Sequence, residues 1–153
     1  MEDSGKRIDY KIRELTAEYL SHHNCTFYLT LSNLKESPEL EIEKSRSLLE
    51  RINSQDGHVF VAINEDYGII GSTKIMIEQK LLRGGVKAGH IEDVATRKGF
   101  CGIGVAKNLV KRAIDFSREN QCYKIVLDCG EELKDFYKNL GFENAGDFMR
   151  MYF

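Results

Sequence analysis

Residues 99–106, Gly-Phe-Cys-Gly-Ile-Gly-Val-Ala, decide the fold, because three glycines stand directly before an amphipathic helical pattern. From Gly104 to about Asn120, apolar residues recur on one helical face and charged residues on the opposite face. The first turn of a helix leaves backbone N–H groups without partners, and the helix dipole favours a phosphate there. Glycines at 102 and 104 let the backbone approach such an anion closely. The turn therefore predicts an anion site at a helix start.

Two common phosphate-binding motifs do not fit this turn. A P-loop requires Gly-Lys followed by Ser or Thr, whereas residues 104–108 read Gly-Val-Ala-Lys-Asn. A dinucleotide fingerprint follows an early strand of a repeated βαβ unit, but here the preceding strands look antiparallel. Taken alone, the turn is equally consistent with a tight structural connection.

The segments before the turn are predicted to be mostly strands. Short β-branched and aromatic runs favour extended structure, and Gly-containing segments between them favour turns. Ser37 before Pro38 is typical of a helix start. We therefore expect, in chain order, a loosely defined strand and helix over Ile8–Ser21, a helix over Pro38–Ile52, strands over His58–Asn64 and Ile69–Glu78, a hairpin tip over Lys80–Gly85 and a strand over Ala88–Thr96.

After the turn and its helix, the pattern predicts a strand over Tyr123–Cys129 and a helix over Glu131–Leu140 that ends at Gly141. Phe142–Phe153 is predicted to close the chain as a strand. This order indicates an α/β (α+β) fold with a mixed sheet. No repeat or linker interrupts the chain, so we expect one domain over residues 1–153.

Composition narrows the classes of function. With 42% hydrophobic residues, 30% charged residues and a net charge of -2, the chain is typical of a soluble globular protein without the basic surface of bulk nucleic-acid binders. No apolar run suits a membrane span, and residues 1–7 lack a signal-peptide core, so a cytoplasmic location is expected. The spacing of the four cysteines and four histidines predicts reduced thiols and no metal.

Two groups of residues could carry chemistry. Glu92 and Asp93 stand next to each other in a predicted strand, so alternation allows at most one of them to face a given pocket. Asp128 ends an apolar strand, and Tyr137 follows on the next helix. Each group also has a purely structural interpretation: a solvated strand edge with a salt bridge for the acids, and core packing with the hydroxyl at the rim for Tyr137.

Several blocks around the turn together resemble the glucosamine 6-phosphate N-acetyltransferases of the GNAT superfamily. The blocks are His-Ile-Glu-Asp at 90–93, the glycine turn, residues 122–129 and residues 136–146. The resemblance implies the GNAT acyl-CoA N-acyltransferase fold, with a mixed central sheet and flanking helices. It also implies acetyl-CoA as the donor cosubstrate, glucosamine 6-phosphate as the acceptor on the route to UDP-N-acetylglucosamine, and a homodimer.

The resemblance also implies roles for individual residues. Asp128 would orient or activate the amine, Tyr137 would protonate the departing CoA thiolate, and both would lie against the cofactor. A backbone N–H near Val94 would polarise the thioester carbonyl. The remaining cofactor contacts would come from the strand residues Ala95 and Thr96 and from the backbone of Gly102, Ile103, Gly104, Val105, Ala106 and Lys107. Glu92 and Asp93 would hold the sugar and its amine. The sugar phosphate would be contacted, across the dimer interface, by Lys80, Leu81, Leu82, Arg83, Tyr123 and Lys124, and Arg150 would also bind the substrate.

Three positions depart from the family pattern. Cys101 stands where Gln or Arg usually begins the loop, which indicates that backbone N–H groups bind the pyrophosphate. Leu133 replaces an Asn that commonly contacts CoA. Tyr152 aligns with a phosphate-binding Arg, which leaves Arg150 as the nearest basic residue.

Other functions stay open at this point. The acceptor could be another small amine or a protein amine, and Cys101 or Cys129 could carry the acyl group covalently. The chain could also be a non-catalytic sensor of CoA or a nucleotide, or a structural interaction domain.

Overall fold

The computed structural model describes residues 8–153, so the signal-peptide expectation for residues 1–7 lies outside it. None of the described helices is long and apolar enough to cross a membrane. Two short 3₁₀ turns, Leu82–Gly84 and Glu131–Leu133, accompany the regular elements. These elements are β1 (Lys11–Glu14), α1 (Ala17–Leu31), α2 (Ile42–Asn53), β2 (Gly57–Asn64), β3 (Gly68–Gln79), β4 (Lys87–Thr96), α3 (Val105–Glu119), β5 (Cys122–Val126) and α4 (Lys134–Lys138).

The five strands form one mixed sheet in the order β1-β2-β3-β4-β5. The first four strands pair antiparallel, while β5 pairs parallel to β4 after the α3 crossover. The predicted turn between β2 and β3 is present: the Asn64 side-chain oxygen accepts hydrogen bonds from the N–H groups of Asp66 and Tyr67 at 2.8 and 2.9 Å. The mixed sheet predicted from the order of elements is confirmed.

Helices cover both faces of this sheet. Along β2, Phe60 and Ala62 join the hydrophobic cluster that contains the buried face of α3, while Val59 and Val61 join a second cluster with residues of α1 and α2. Burial on both faces explains why β2 is apolar at successive positions rather than alternating. The amphipathic α3 is confirmed, with Leu109 and Val110 fully buried.

The close approach of α3 to the sheet depends on Gly71 in β3. A Cβ built there would overlap Val105 Cγ1 and lie 2.9 Å from Leu109 Cδ1. Overpacking of this kind costs about 1–3 kcal/mol, so Gly71→Ala is expected to lower the free energy of unfolding by that amount in urea titrations. Gly130→Ala is the matched control, because the atoms its Cβ would meet first belong to the flexible Glu132 side chain. An unchanged unfolding midpoint for Gly71→Ala would contradict this packing.

The helix predicted over Pro38–Ile52 starts later than expected, at Ile42. The Ser37 hydroxyl donates to the carbonyl of Lys35 instead of capping a helix. The Asn24 side-chain amide donates to the Glu39 carboxylate at 2.9 Å and to the Leu40 carbonyl at 2.8 Å. This contact from α1 holds the backbone before α2 outside the helix, so the prediction from Ser37-Pro38 was wrong.

The predictions for the C-terminal third are right in order and wrong in extent. The strand predicted to Cys129 ends at Val126, and the helix predicted over Glu131–Leu140 is a 3₁₀ turn followed by the short α4. Gly141 (φ 96°) ends that helix as expected, with the N–H of Phe142 bonded to the Tyr137 carbonyl. Phe142–Phe153 is not a strand in the described chain, because no edge pairs with it.

Candidate active site

A β-bulge distorts β4 at the acidic pair. Ser72 of β3 pairs with Ala95 and Lys74 pairs with Glu92, so β4 holds one extra residue between these pairs. Asp93 carries the resulting strain with a φ of 54°, and its carboxylate lies 3.3 Å from the Lys74 ammonium. The bulge breaks the alternation assumed from sequence, and both Glu92 and Asp93 are exposed. It also leaves Val94 without a register partner in the described sheet.

The strands β4 and β5 part next to this bulge. Their parallel pairing begins at Lys87 with Cys122 and ends at His90 with Val126. Residues 91–96 of β4 therefore have an open edge on the β5 side along the described chain. The parting also explains the early end of β5, because residues 127–129 lose the strand with which they would pair. The result is a cleft between the strands.

The glycine turn lies where β4 ends and α3 begins. Gly99, Gly102 and Gly104 have φ angles of 91°, 83° and 89°, which side chains rarely adopt. Gly104 is the N-cap residue, and no side chain caps the helix. Within residues 8–153, none of the N–H groups of residues 102–107 donates a hydrogen bond to the protein. This row of free donors at a helix N-terminus is the geometry that the anion site predicted from the turn requires.

Three residues that sequence reasoning missed hold the turn in place. The N–H of Arg97 bonds to the Ile70 carbonyl at 2.9 Å, and its guanidinium donates to the Tyr67 carbonyl at 2.7 Å. Phe100 anchors the turn in the core, being only 7% exposed. From the end of α1, the Asn33 amide donates to the Thr96 carbonyl at 2.6 Å. The apolar Phe100 within a glycine-rich run was the one available signal for this anchoring.

Tyr137 is packed into the core close to Asp128 and Cys129. The residue is 7% exposed, and its ring meets those of Phe136 and Phe142 edge-on at centroid distances of 4.9 and 5.8 Å. Burial raises the pKa of its phenol above the ordinary value, with smaller contributions from the nearby Cys129 and Asp128. The hydroxyl therefore keeps its proton at neutral pH, as a general acid must.

Asp128 lies beside Tyr137 and pairs with the C-terminal segment. Its Oδ2 atom lies 3.4 Å from Nη2 of Arg150. Asp128, Cys129 and Tyr137 line a cavity of about 500 Å³ between the end of β5, α4 and the segment 142–148. Glu92, Asp93 and Val94 are on the β4 side of the parting strands, outside the described residues that line this cavity.

The basic hairpin tip lies away from Glu92 and Asp93 of its own chain. Arg83 stacks over the Tyr123 ring at 5.2 Å and Lys124 approaches the same ring at 5.3 Å, so these predicted residues do form a cluster. Lys80, however, pairs with Glu78 at 2.7 Å. Lys124 is in register with Ala88, four residues before Glu92. At about 3.3 Å per strand residue the two positions are roughly 13 Å apart, too far for direct contact between this cluster and the acids of one chain.

Comparison with known proteins agrees with this geometry. Residues 13–142 match the model of the Acetyltransferase (GNAT) family. A glucosamine 6-phosphate N-acetyltransferase of Arabidopsis thaliana is 37% identical over 147 residues, which cover 94% of this chain and 97% of the relative. The crystal structure of the glucosamine-6-phosphate N-acetyltransferase from that plant superposes with a TM-score of 0.87 at 33% identity, covering 95% of this chain and 99% of the other.

A crystal structure of an acetyltransferase from Trypanosoma brucei also superposes with a TM-score of 0.87, at 32% identity over 95% of this chain and all of the other. The bulged β4, its parting from β5 and the glycine turn before α3 thus occur in a chain whose fold and sequence both match acetyltransferases. The protein belongs to the GNAT family of acetyltransferases, which use acetyl-CoA as their cosubstrate.

Proposed function

We propose that this protein transfers the acetyl group of acetyl-CoA to the amine of glucosamine 6-phosphate. The observation that carries the proposal is the parting of β4 and β5 beside the free N–H groups of residues 102–107. A thin pantetheine arm fits an open strand edge, and a pyrophosphate fits the row of donors at its end. The acceptor is inferred from the relatives, which are named for glucosamine 6-phosphate and are 32–37% identical over most of this chain.

The reaction follows from the groups along the cleft. The acceptor binds as an ammonium ion and first loses one proton to solvent. The neutral amine then attacks the thioester carbonyl carbon, and the backbone N–H of Val94 stabilises the negative charge that develops on the carbonyl oxygen. As the new C–N bond forms, the C–S bond breaks and Tyr137 gives its proton to the sulfur. Asp128 orients the amine and accepts its released proton. Transfer is direct, so no cysteine carries the acetyl group.

The glycine turn allows a test that separates backbone strain from cofactor binding. Ala at Gly102 would introduce a Cβ among the free donors and weaken their approach to the pyrophosphate, so we expect the KM for acetyl-CoA to rise about tenfold. Hydrogen bonds to charged groups have the required strength, roughly 1.5–3 kcal/mol each. Gly99→Ala is the matched control, because both glycines have positive φ and a Cβ at either meets no described atom within 4 Å.

Both variants should lose similar stability, and only Gly102→Ala should lose affinity for CoA in calorimetric titrations. Equal losses of affinity in the two variants would show that strain alone, rather than contact with the pyrophosphate, accounts for the effect.

A homodimer formed through the C-terminal segment would complete the site. Residues 148–153 expose Phe148, Met149 and Met151, and the hairpin tip exposes Leu81 and Leu82. Exposed apolar surface of this extent favours an interface. We propose that a second copy of this chain covers both regions and brings its Arg83, Tyr123 and Lys124 towards the sugar phosphate. Each copy would act as a single domain over residues 1–153. Light scattering after gel filtration should give a mass of about two chains.

A panel of acceptors tests the proposed substrate. Initial rates with acetyl-CoA are measured for glucosamine 6-phosphate, glucosamine, small polyamines and a lysine peptide, and glucosamine 6-phosphate is expected to have the highest kcat/KM. A better rate with the peptide or polyamine would instead assign another acceptor. CoA binding without any turnover would indicate a sensor. Direct transfer further requires that the wild type shows no burst and that a variant with Cys101 and Cys129 both changed to Ala keeps its turnover.

A further inference from the structure

Arg150 is held against the acid that receives the amine in the proposed reaction. Its Nη2 lies 3.4 Å from Asp128 Oδ2, and its Nη1 donates to the Tyr152 hydroxyl at 2.7 Å. The rings of Phe148 and Tyr152 lie 5.0 and 5.6 Å from the guanidinium carbon, within cation–π range. The guanidinium is thus fixed by a hydrogen bond and two rings, while its side chain stays half exposed to solvent.

The other cations beside the cavity are paired differently. Lys134 pairs with Glu131 at 2.6 Å and Lys138 with Asp135 at 4.0 Å, in each case three residues away along the chain. Arg150 pairs instead across 22 residues with Asp128, which lines the cavity next to Tyr137. Among the described cations that pair with an acid near this cavity, Arg150 is the one whose partner belongs to the reaction site.

We propose that the Arg150–Asp128 ion pair is exchanged by the acceptor and selects for a molecule that carries both an ammonium group and a phosphate. In the free protein, the Arg150 guanidinium pairs with the Asp128 carboxylate, which would otherwise bind the substrate amine. When the acceptor binds, its phosphate pairs with the Arg150 guanidinium and its ammonium group pairs with the Asp128 carboxylate. Two ion pairs thus replace one. This inference rests on the proposed acceptor and adds the means by which the site recognises it.

The exchange penalises acceptors that carry only one of the two groups. An amino sugar without phosphate must displace Arg150 from Asp128 and leaves the guanidinium without an anion. Arg150 can move, because its side chain is long and half exposed and the Asp128 contact is not buried. The Tyr152 hydroxyl and ring position the guanidinium, so Tyr152 acts through Arg150 and is a positioning residue.

The test compares kcat/KM for glucosamine 6-phosphate and for glucosamine in the full-length wild type, Arg150→Ala, Tyr152→Phe and Lys138→Gln. For Arg150→Ala we expect at least a tenfold loss with glucosamine 6-phosphate and a severalfold gain with glucosamine, because Asp128 is then free. Tyr152→Phe should change kcat/KM for each sugar in the same direction as Arg150→Ala does, but by a smaller factor. Lys138→Gln removes a cavity cation that does not touch Asp128 and should change neither value.

A second experiment adds inorganic phosphate to the assay. Added to the wild type, it should draw Arg150 from Asp128 and accelerate acetylation of glucosamine, and it should have no such effect on Arg150→Ala. Loss with glucosamine 6-phosphate but unchanged glucosamine kinetics in Arg150→Ala would overturn the exchange and leave Arg150 as a simple phosphate ligand. Equal loss with both acceptors would overturn it in favour of a structural role. A wild type that acetylates neither sugar would refute the proposed function as well.

Discussion

A Tyr137→Phe variant is expected to lose about 10²- to 10³-fold in kcat with little change in the KM for acetyl-CoA. General acid catalysis contributes roughly this factor when a positioned group protonates a leaving atom. The ring packs against Phe136 and Phe142, and Phe preserves those contacts, so the loss should fall on the chemical step and not on the fold. Steady-state kinetics with both substrates saturating, and a thermal melt, separate the two effects.

Tyr19→Phe is the matched control for this substitution. Tyr19 packs against the other hydrophobic cluster, on the opposite face of the sheet from Tyr137, and removing its hydroxyl should leave kcat unchanged. If Tyr137→Phe turns over at more than half the wild-type rate, another group or water protonates the thiolate, and Tyr137 is only a core residue.

An Asp128→Asn variant is expected to lose about 100-fold in kcat/KM for the amine acceptor. The amide has the size of the carboxylate but can neither accept the proton of the amine nor hold an ammonium group by charge. Binding of CoA should change little, because the N–H groups proposed to hold the pyrophosphate belong to residues 102–107, which do not line the cavity around Asp128. The loss should therefore appear with the acceptor as the varied substrate and be absent from CoA titrations.

Asp135→Asn offers the same chemical change seven residues away. Asp135 is exposed on α4 and pairs only loosely with Lys138, at 4.0 Å, so this control should behave like the wild type. Equal activity of the two variants would remove Asp128 from the mechanism.

The features that could be predicted from sequence are those set by neighbours in the chain. The turn at Asp66–Gly68, the amphipathic α3 and the stop at Gly141 each depend on residues within a few positions. The free N–H groups at the start of α3 belong to the same group, because a helix N-terminus leaves its first N–H groups without partners whatever the rest of the fold. The glycine turn and Gly141 also lie within the blocks on which the resemblance to the GNAT enzymes depended.

The bulge at Asp93 could not be predicted, because an extra residue in one strand is visible only against its partner. Nothing in Glu92-Asp93-Val94 demands a φ of 54°, which Asp adopts only under constraint. The bulge nonetheless lies next to the point where the pairing of β4 with β5 ends. The residues proposed for the reaction centre could be named from sequence, whereas the strand geometry around them required the paired strands.

Contacts between distant segments account for the remaining errors. Asn24 holds residues 39 and 40 outside α2, although Ser37-Pro38 is a good local helix start. The closing strand was predicted from the apolar character of Phe142–Phe153, but a strand also needs an edge to pair with, and one copy of the chain does not supply it.

A crystal structure with CoA and glucosamine 6-phosphate tests the central claim most directly, because it locates both anions and the reacting amine. We predict the pyrophosphate on the N–H groups of residues 102–107, the thiol near the Tyr137 hydroxyl and the amine beside Asp128, with the sugar phosphate on Arg150. CoA bound away from the parting of β4 and β5, or a sugar amine that does not reach Asp128, would contradict it.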